Sequence, residues 1–120
     1  MNKNAPKRIY IDLENVGPKG LKGINRLTEK DSVFLYYGKY NPTPKFDITT
    51  VNLLLKAKCN VRFISVNKKG KNAVDNQVIN DIIRSIQKGL RFYIISNDND
   101  FKKTLSGLKN VSYRNRIERI

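Results

Sequence analysis

Ten acidic residues occur in this chain of 120, and half of them fall in three short segments. Asp12 and Glu14 stand in Ile11-Asp12-Leu13-Glu14-Asn15. Asp75 closes Lys71-Asn72-Ala73-Val74-Asp75, and Asp98 and Asp100 lie in Ser96-Asn97-Asp98-Asn99-Asp100-Phe101. Carboxylates brought together repel one another and are costly unless a positive charge lies between them. A hard divalent cation such as Mg²⁺ or Mn²⁺ is the natural occupant, because it prefers carboxylate and amide oxygens and keeps several waters. Such an ion acidifies a bound water and offsets charge on a phosphoryl oxygen. The chemistry in view is therefore phosphodiester hydrolysis.

Composition narrows the alternatives. The chain has no histidine, which excludes Ser-His-Asp and Cys-His nucleophiles, His-ligated metals and His-based cleavage of RNA. Its single cysteine excludes an internal disulfide and a multi-cysteine zinc site. Lys and Arg number 24 against 10 Asp and Glu, a net charge of +14, which is the footprint of a nucleic-acid partner. An anionic membrane surface is the competing partner, but no run of about 18 apolar residues occurs, and the N-terminal segment is polar. The reading is no membrane and a cytoplasmic location, with one domain over residues 1–120.

For the acids to meet, the chain must carry them to one edge of a scaffold. Four apolar runs, rich in β-branched and aromatic residues, predict strands over Arg8–Asp12, Ser32–Tyr37, Val61–Ser65 and Phe92–Ser96, with a fifth at Val111–Tyr113. The runs are nearly continuous, as in a parallel sheet covered on both faces. Helices are predicted over Phe46–Lys58, with Ile48, Val51 and Leu55 as the apolar stripe, over Ala73–Lys88, with Val74, Val78, Ile82 and Ile86, and over Asp100–Leu108. A helical turn is expected somewhere in Lys19–Leu27. The alternation implies an α/β fold, a three-layer α/β/α sandwich with a mostly parallel central sheet. Ligands of such sheets bind outside the carboxyl ends of the strands, where Asp12, Asp75 and Asp98 all fall.

The same acids also suit helix starts. Asp98 or Asp100 would cap a helix from Phe101, and Asp75 is a favourable first-turn acid. Strand alternation does not fix where Glu14 points once the strand stops at Asp12. Around the acids, Lys68, Lys69 and Lys71 precede the helix of Asp75, and Lys19 and Lys22 follow the strand of Asp12; all five are placed to hold phosphates. Tyr40 leads into a Pro-containing loop and is the candidate for stacking on an unpaired base, ahead of Tyr36 and Tyr37. The tail from Ser112 to Ile120 adds three arginines and could bind backbone, self-associate through Ile117 and Ile120, or fray. Cys59 reads as a small core residue.

The three acidic segments, in this order and in these strand and helix contexts, resemble the PIN-like nuclease superfamily, and within it the NYN-type domains. The D-x-E-N strand end (Asp12 to Asn15) and the S-x-D-x-D-F segment (Ser96 to Phe101) carry the resemblance, which extends from Arg8 to Tyr113. It implies a metal-dependent endoribonuclease that leaves 5′-phosphate and 3′-hydroxyl ends. Asp12, Asp75 and Asp98 would then ligate or position Mg²⁺ or Mn²⁺, with Asp100 completing the cluster. Asn15 would orient Asp12 or reach the substrate phosphate, and Ser96 would offer its hydroxyl to a carboxylate or a metal-bound water. The implied substrate is single-stranded RNA, and two copies of such a domain often pair as a homodimer. Two departures weaken metal affinity and turnover in this reading. Residues 40–60 hold Asp47 as their sole acid where many relatives carry one on the helix before the third strand, and Asn76 replaces a frequent aromatic. The alternative is a non-catalytic nucleic-acid-binding protein on the same fold. A dehalogenase-like phosphatase is disfavoured, because Asp12 is followed by Leu13-Glu14-Asn15 rather than by x-D-x-[TV].

Overall fold

Each apolar run becomes a strand in the computed structural model, which describes residues 5–39, 46–70, 72–86, 89–98, 100–105, 107–108 and 110–120, with Asp100 and Lys102 as backbone only. The strands are β1 (Lys7–Asp12), β2 (Ser32–Gly38), β3 (Asn60–Val66), β4 (Arg91–Ile95) and β5 (Val111–Arg114). All neighbours pair in parallel, in the order β3-β2-β1-β4-β5. Parallel neighbours need crossovers rather than hairpins. The helices supply them: α1 (Leu13–Val16), α2 (Ile48–Lys56), α3 (Ala73–Ser85) and α4 (Asp100–Leu105). Short 3-10 turns occupy Gly17–Leu21, Ile24–Arg26 and Ile117–Arg119. No helix among the described residues is long and apolar enough to cross a membrane.

The pleat sends alternate residues to opposite faces. Ile9, Ile11, Val33 and Leu35 pack with Leu21, Ile24, Leu53, Leu54 and Ile117 on one face. Tyr10, Phe34, Tyr36 and Phe92 meet Val78, Ile82, Phe101 and Leu105 of α3 and α4 on the other. The result is the expected three-layer α/β/α sandwich. Cys59 lies in the first core, 8% exposed, and burial pushes its thiol pKa up.

Two amphipathic stripes sit differently from expectation. Ile48, Val51 and Leu55 of α2 face solvent, at 79%, 41% and 78% exposure, while Thr50, Leu53, Leu54 and Ala57 face the core. The second set fills the i, i+3, i+4, i+7 pattern that Asn52 interrupts in the first, but its Thr50 reads as polar. Asp47 resolves that polarity, since its carboxylate accepts the Thr50 N–H at 2.8 Å and also bonds the Thr50 side chain. On α3, Val78 and Ile82 are buried as expected, whereas Ile86 falls beyond the helix, which ends at Ser85, and is exposed, as is Ile83 within it.

The tail neither frays nor presents both isoleucines. Ile117 is 3% exposed within the first core, and Ile120 packs beside it. The Glu118 N–H donates to the Lys22 carbonyl at 2.7 Å, and Gly23, at φ +94°, lets the Glu118 backbone approach.

Beneath α3, the fully buried Tyr36 donates its hydroxyl to Asp81 at 2.7 Å, and Gln77 donates to the same carboxylate. Removing the hydroxyl leaves Asp81 its other donor, so Tyr36→Phe is expected to cost about 1 kcal/mol. Asp81→Ala strands a buried hydroxyl and is expected to cost about 2 kcal/mol. Urea melts of both variants would measure this asymmetry, and a reversed order would refute it.

Candidate active site

Strand parity decides which acid enters the interior. Asp12 ends β1 on the same face as Tyr10, the face covered by α3. Because α3 connects two parallel strands, it runs back against them and its first turn, with Asp75, starts at the carboxyl edge where β1 ends. Asp12 is 6% exposed. Burial is the largest cause lifting its carboxyl from the usual range to about 7, followed by the Asp75 carboxylate; Glu14 and Asp98 push the same way, and the Asn15 backbone N–H opposes them. Three of the other four acids read from the sequence therefore act on Asp12 at this edge.

Asp98 reaches the site through a side-chain relay. The Asn15 Oδ1 accepts the Asn97 N–H at 2.7 Å and the Ser96 hydroxyl at 3.4 Å. The Ser96 Oγ in turn accepts the Asp98 N–H at 3.0 Å. Asn15 and Ser96 thus stitch the end of β1 to the loop after β4. Glu14, which alternation left undirected, accepts the Gly38 N–H at the end of β2. Asp100 opens α4. Its side chain, together with Tyr40 and Lys71, lies outside the described residues.

The donors gathered here are carboxylate and amide oxygens, the chemistry that suits Mg²⁺ or Mn²⁺. A buried carboxyl whose pKa is raised by three other acids is also a group that a cation would relieve. Among the described residues, no three acidic or cysteine side chains stand close enough to enclose one ion. The Asp75, Glu14 and Asp98 carboxylates act on Asp12 through their charge. Asp47 is occupied at the start of α2, where the Thr50 hydrogen bonds hold its carboxyl below the usual range.

Lys68 and Lys69 are exposed in the loop after β3. With Asn72, Asn76, Gln77 and Asn80 they line a pocket of about 200 Å³ beside the first turns of α3. The lysines are legible from the sequence; the amide face is a feature of the helix, on which Asn72, Asn76 and Asn80 recur every four residues. Lys19 and Lys22 are exposed on the turn after α1. Gly20 of that turn lies beside Ile95, the last residue of β4, so the turn runs along the same edge.

Comparison with curated proteins and with solved structures gave no match. A family model described as PIN domain matches residues 6–116. That span holds all five strands, the helices that cross between them and every acidic segment of the edge, so the chain belongs to the PIN domain family.

Proposed function

We propose that this chain is a divalent-metal-dependent endoribonuclease of the NYN type, formed by one domain over residues 1–120 and acting in the cytoplasm on single-stranded RNA. PIN domains are generally nucleases and typically use divalent metal ions, which is the coarser ground for the reading. The observation that carries the finer statement is the buried Asp12 within the field of Asp75, Glu14 and Asp98. Asp12, Asp75 and Asp98 would hold Mg²⁺ or Mn²⁺, with Asp100 completing the set. The chemistry such an ion supplies when bound is a more acidic water and charge compensation at the scissile phosphate.

The chain's own residues do the rest. Asn15 and Ser96 keep Asp98 in place relative to Asp12, so the carboxylates stay preorganised. Lys19, Lys22, Lys68, Lys69 and Lys71 neutralise backbone phosphates, and Tyr40 stacks on a base. Pairing into a homodimer would extend the basic surface. The net charge of +14 serves a second reading equally, a nucleic-acid-binding protein on the same fold.

Labelled single-stranded RNA, incubated with Mn²⁺ or with EDTA, separates the two. Wild type is expected to cut with Mn²⁺ and not with EDTA. Asp98→Asn is expected to cut about a hundredfold or more slowly while still binding the RNA. Intact RNA, bound equally by both proteins, would assign the chain to the second reading.

A further inference from the structure

A second pocket lies at the opposite edge of the sheet from Asp12. Arg8, Ser32, Phe34, Asn60 and Arg62, at the amino ends of β1, β2 and β3, line a cavity of about 400 Å³. Its size falls in the range of small-ligand sites, about 300–1,000 Å³. Arg8 lies four residues before Asp12 on β1, about 13 Å along the strand. Between them the sheet face is covered by α3 over Tyr10 and Tyr36, so this cavity is separate from the acidic edge.

Its chemistry is specific. Register aligns Tyr10 with Phe34 and Phe34 with Arg62 across the three strands. Tyr10 and Phe34 stack at 5.0 Å between centroids, and the Arg8 guanidinium lies over Phe34 at 4.8 Å. Arg8 Nε donates to the Tyr10 hydroxyl at 3.0 Å, which fixes the plane and leaves the terminal amino groups as its remaining donors. Arg62 is exposed on β3, the edge strand. Among the described residues neither arginine forms an ion pair.

Two arginines that line one pocket without an ion-paired acid offer the donors of a phosphate clamp. An aromatic ring beside guanidinium planes is a surface on which unpaired bases stack. Ser32 and Asn60 add neutral hydrogen-bonding groups. We propose that this pocket is a second nucleotide site, which takes one phosphorylated nucleotide unit with its phosphate on Arg8 and Arg62 and its base against Phe34. The unit is either a residue of a single-stranded nucleic acid or a free mononucleotide. The proposal does not depend on whether the acidic edge cuts RNA.

The test is binding in EDTA, so that no cleavage intervenes, with a short labelled oligoadenylate and with AMP as probes. Arg62→Gln removes an exposed side chain from the pocket, and Lys56→Gln removes the same charge from the outer side of α2. For Arg62→Gln the affinity for the oligonucleotide is expected to fall about tenfold, and the salt slope by about one. Lys56→Gln is expected to stay within about twofold. Titration of wild type with AMP, lost in Arg62→Gln, would identify a free nucleotide as a ligand; an effect confined to the oligonucleotide would identify the strand. Equal losses in the two variants would reduce the effect to net charge and overturn the site, as would no loss in either. RNA cutting with Arg62-insensitive binding would overturn this site alone, whereas Arg62-dependent binding without cutting would overturn only the nuclease reading.

Discussion

Asp12→Asn is expected to abolish cleavage and, at the same time, to make the protein more stable at alkaline pH. The first effect follows from removing the buried carboxylate at the centre of the acidic edge, and a loss of about a thousandfold is expected in the RNA assay. The second follows from the carboxyl at about 7 in the folded chain against about 3.9 when unfolded. Between those values the unfolded chain releases the proton while the folded chain keeps it. The group's contribution to stability is therefore intact below pH ~4, falls as pH rises toward ~7, and stays low above it. The difference amounts to about 2–4 kcal/mol at pH ~8. Asparagine does not ionise, so the variant should exceed wild type in urea melts at pH ~8 and converge with it near pH ~4. A difference that ignores pH, or favours wild type at the alkaline end, would refute the burial argument. Millimolar Mg²⁺ should raise the wild-type melting temperature at the same alkaline pH and leave the variant unmoved.

Gly23→Ala is expected to be the most destabilising single methyl in the described chain. Gly23 adopts φ +94°, a conformation that side chains disfavour, and an added Cβ would lie 2.6 Å from the Glu118 Cα and 2.7 Å from its nitrogen. Backbone cannot swing aside as a flexible side chain does. The Glu118 N–H is also held by the Lys22 carbonyl, so displacing it breaks that bond and lifts Ile117 from the core. A cost of about 3 kcal/mol is expected, a fall in melting temperature on the order of 10 °C. Gly107→Ala meets nothing within 4 Å and serves as the comparison; it should stay within about 0.5 kcal/mol. Similar melting of the two variants would show that the tail is not held at Gly23.

The strands were legible because a strand buried on both faces must be apolar along its whole length, and runs such as Phe92-Tyr93-Ile94-Ile95 admit little else. The acidic edge was legible in outline for a related reason. Acids that end a parallel strand or open the next crossover helix are carried to the same side of the sheet by topology alone. Helix faces were less legible. On α2 two stripes compete, and a buried Thr50 satisfied by Asp47 decided for the one containing fewer large residues. The role of Glu14, the relay from Asn15 through Ser96 to Asp98, and the bond from Tyr36 to Asp81 join residues 24, 81, 2 and 45 positions apart. All but the shortest of these depend on how distant elements dock.

The sequence by itself determined the element order, the parallel sheet, the basic surface and the carboxyl-edge position of Asp12, Asp75 and Asp98, because each depends on residue type and local period. Tertiary structure alone decided that Asp12 is the buried acid of that edge and that Asn15 braces the β4 loop. It also decided that Ile48, Val51 and Leu55 face water, and that Arg8 and Arg62 line one pocket beside Phe34. Those outcomes depend on strand register and on which helix face docks, where the free energy lies in contacts between segments far apart in the chain.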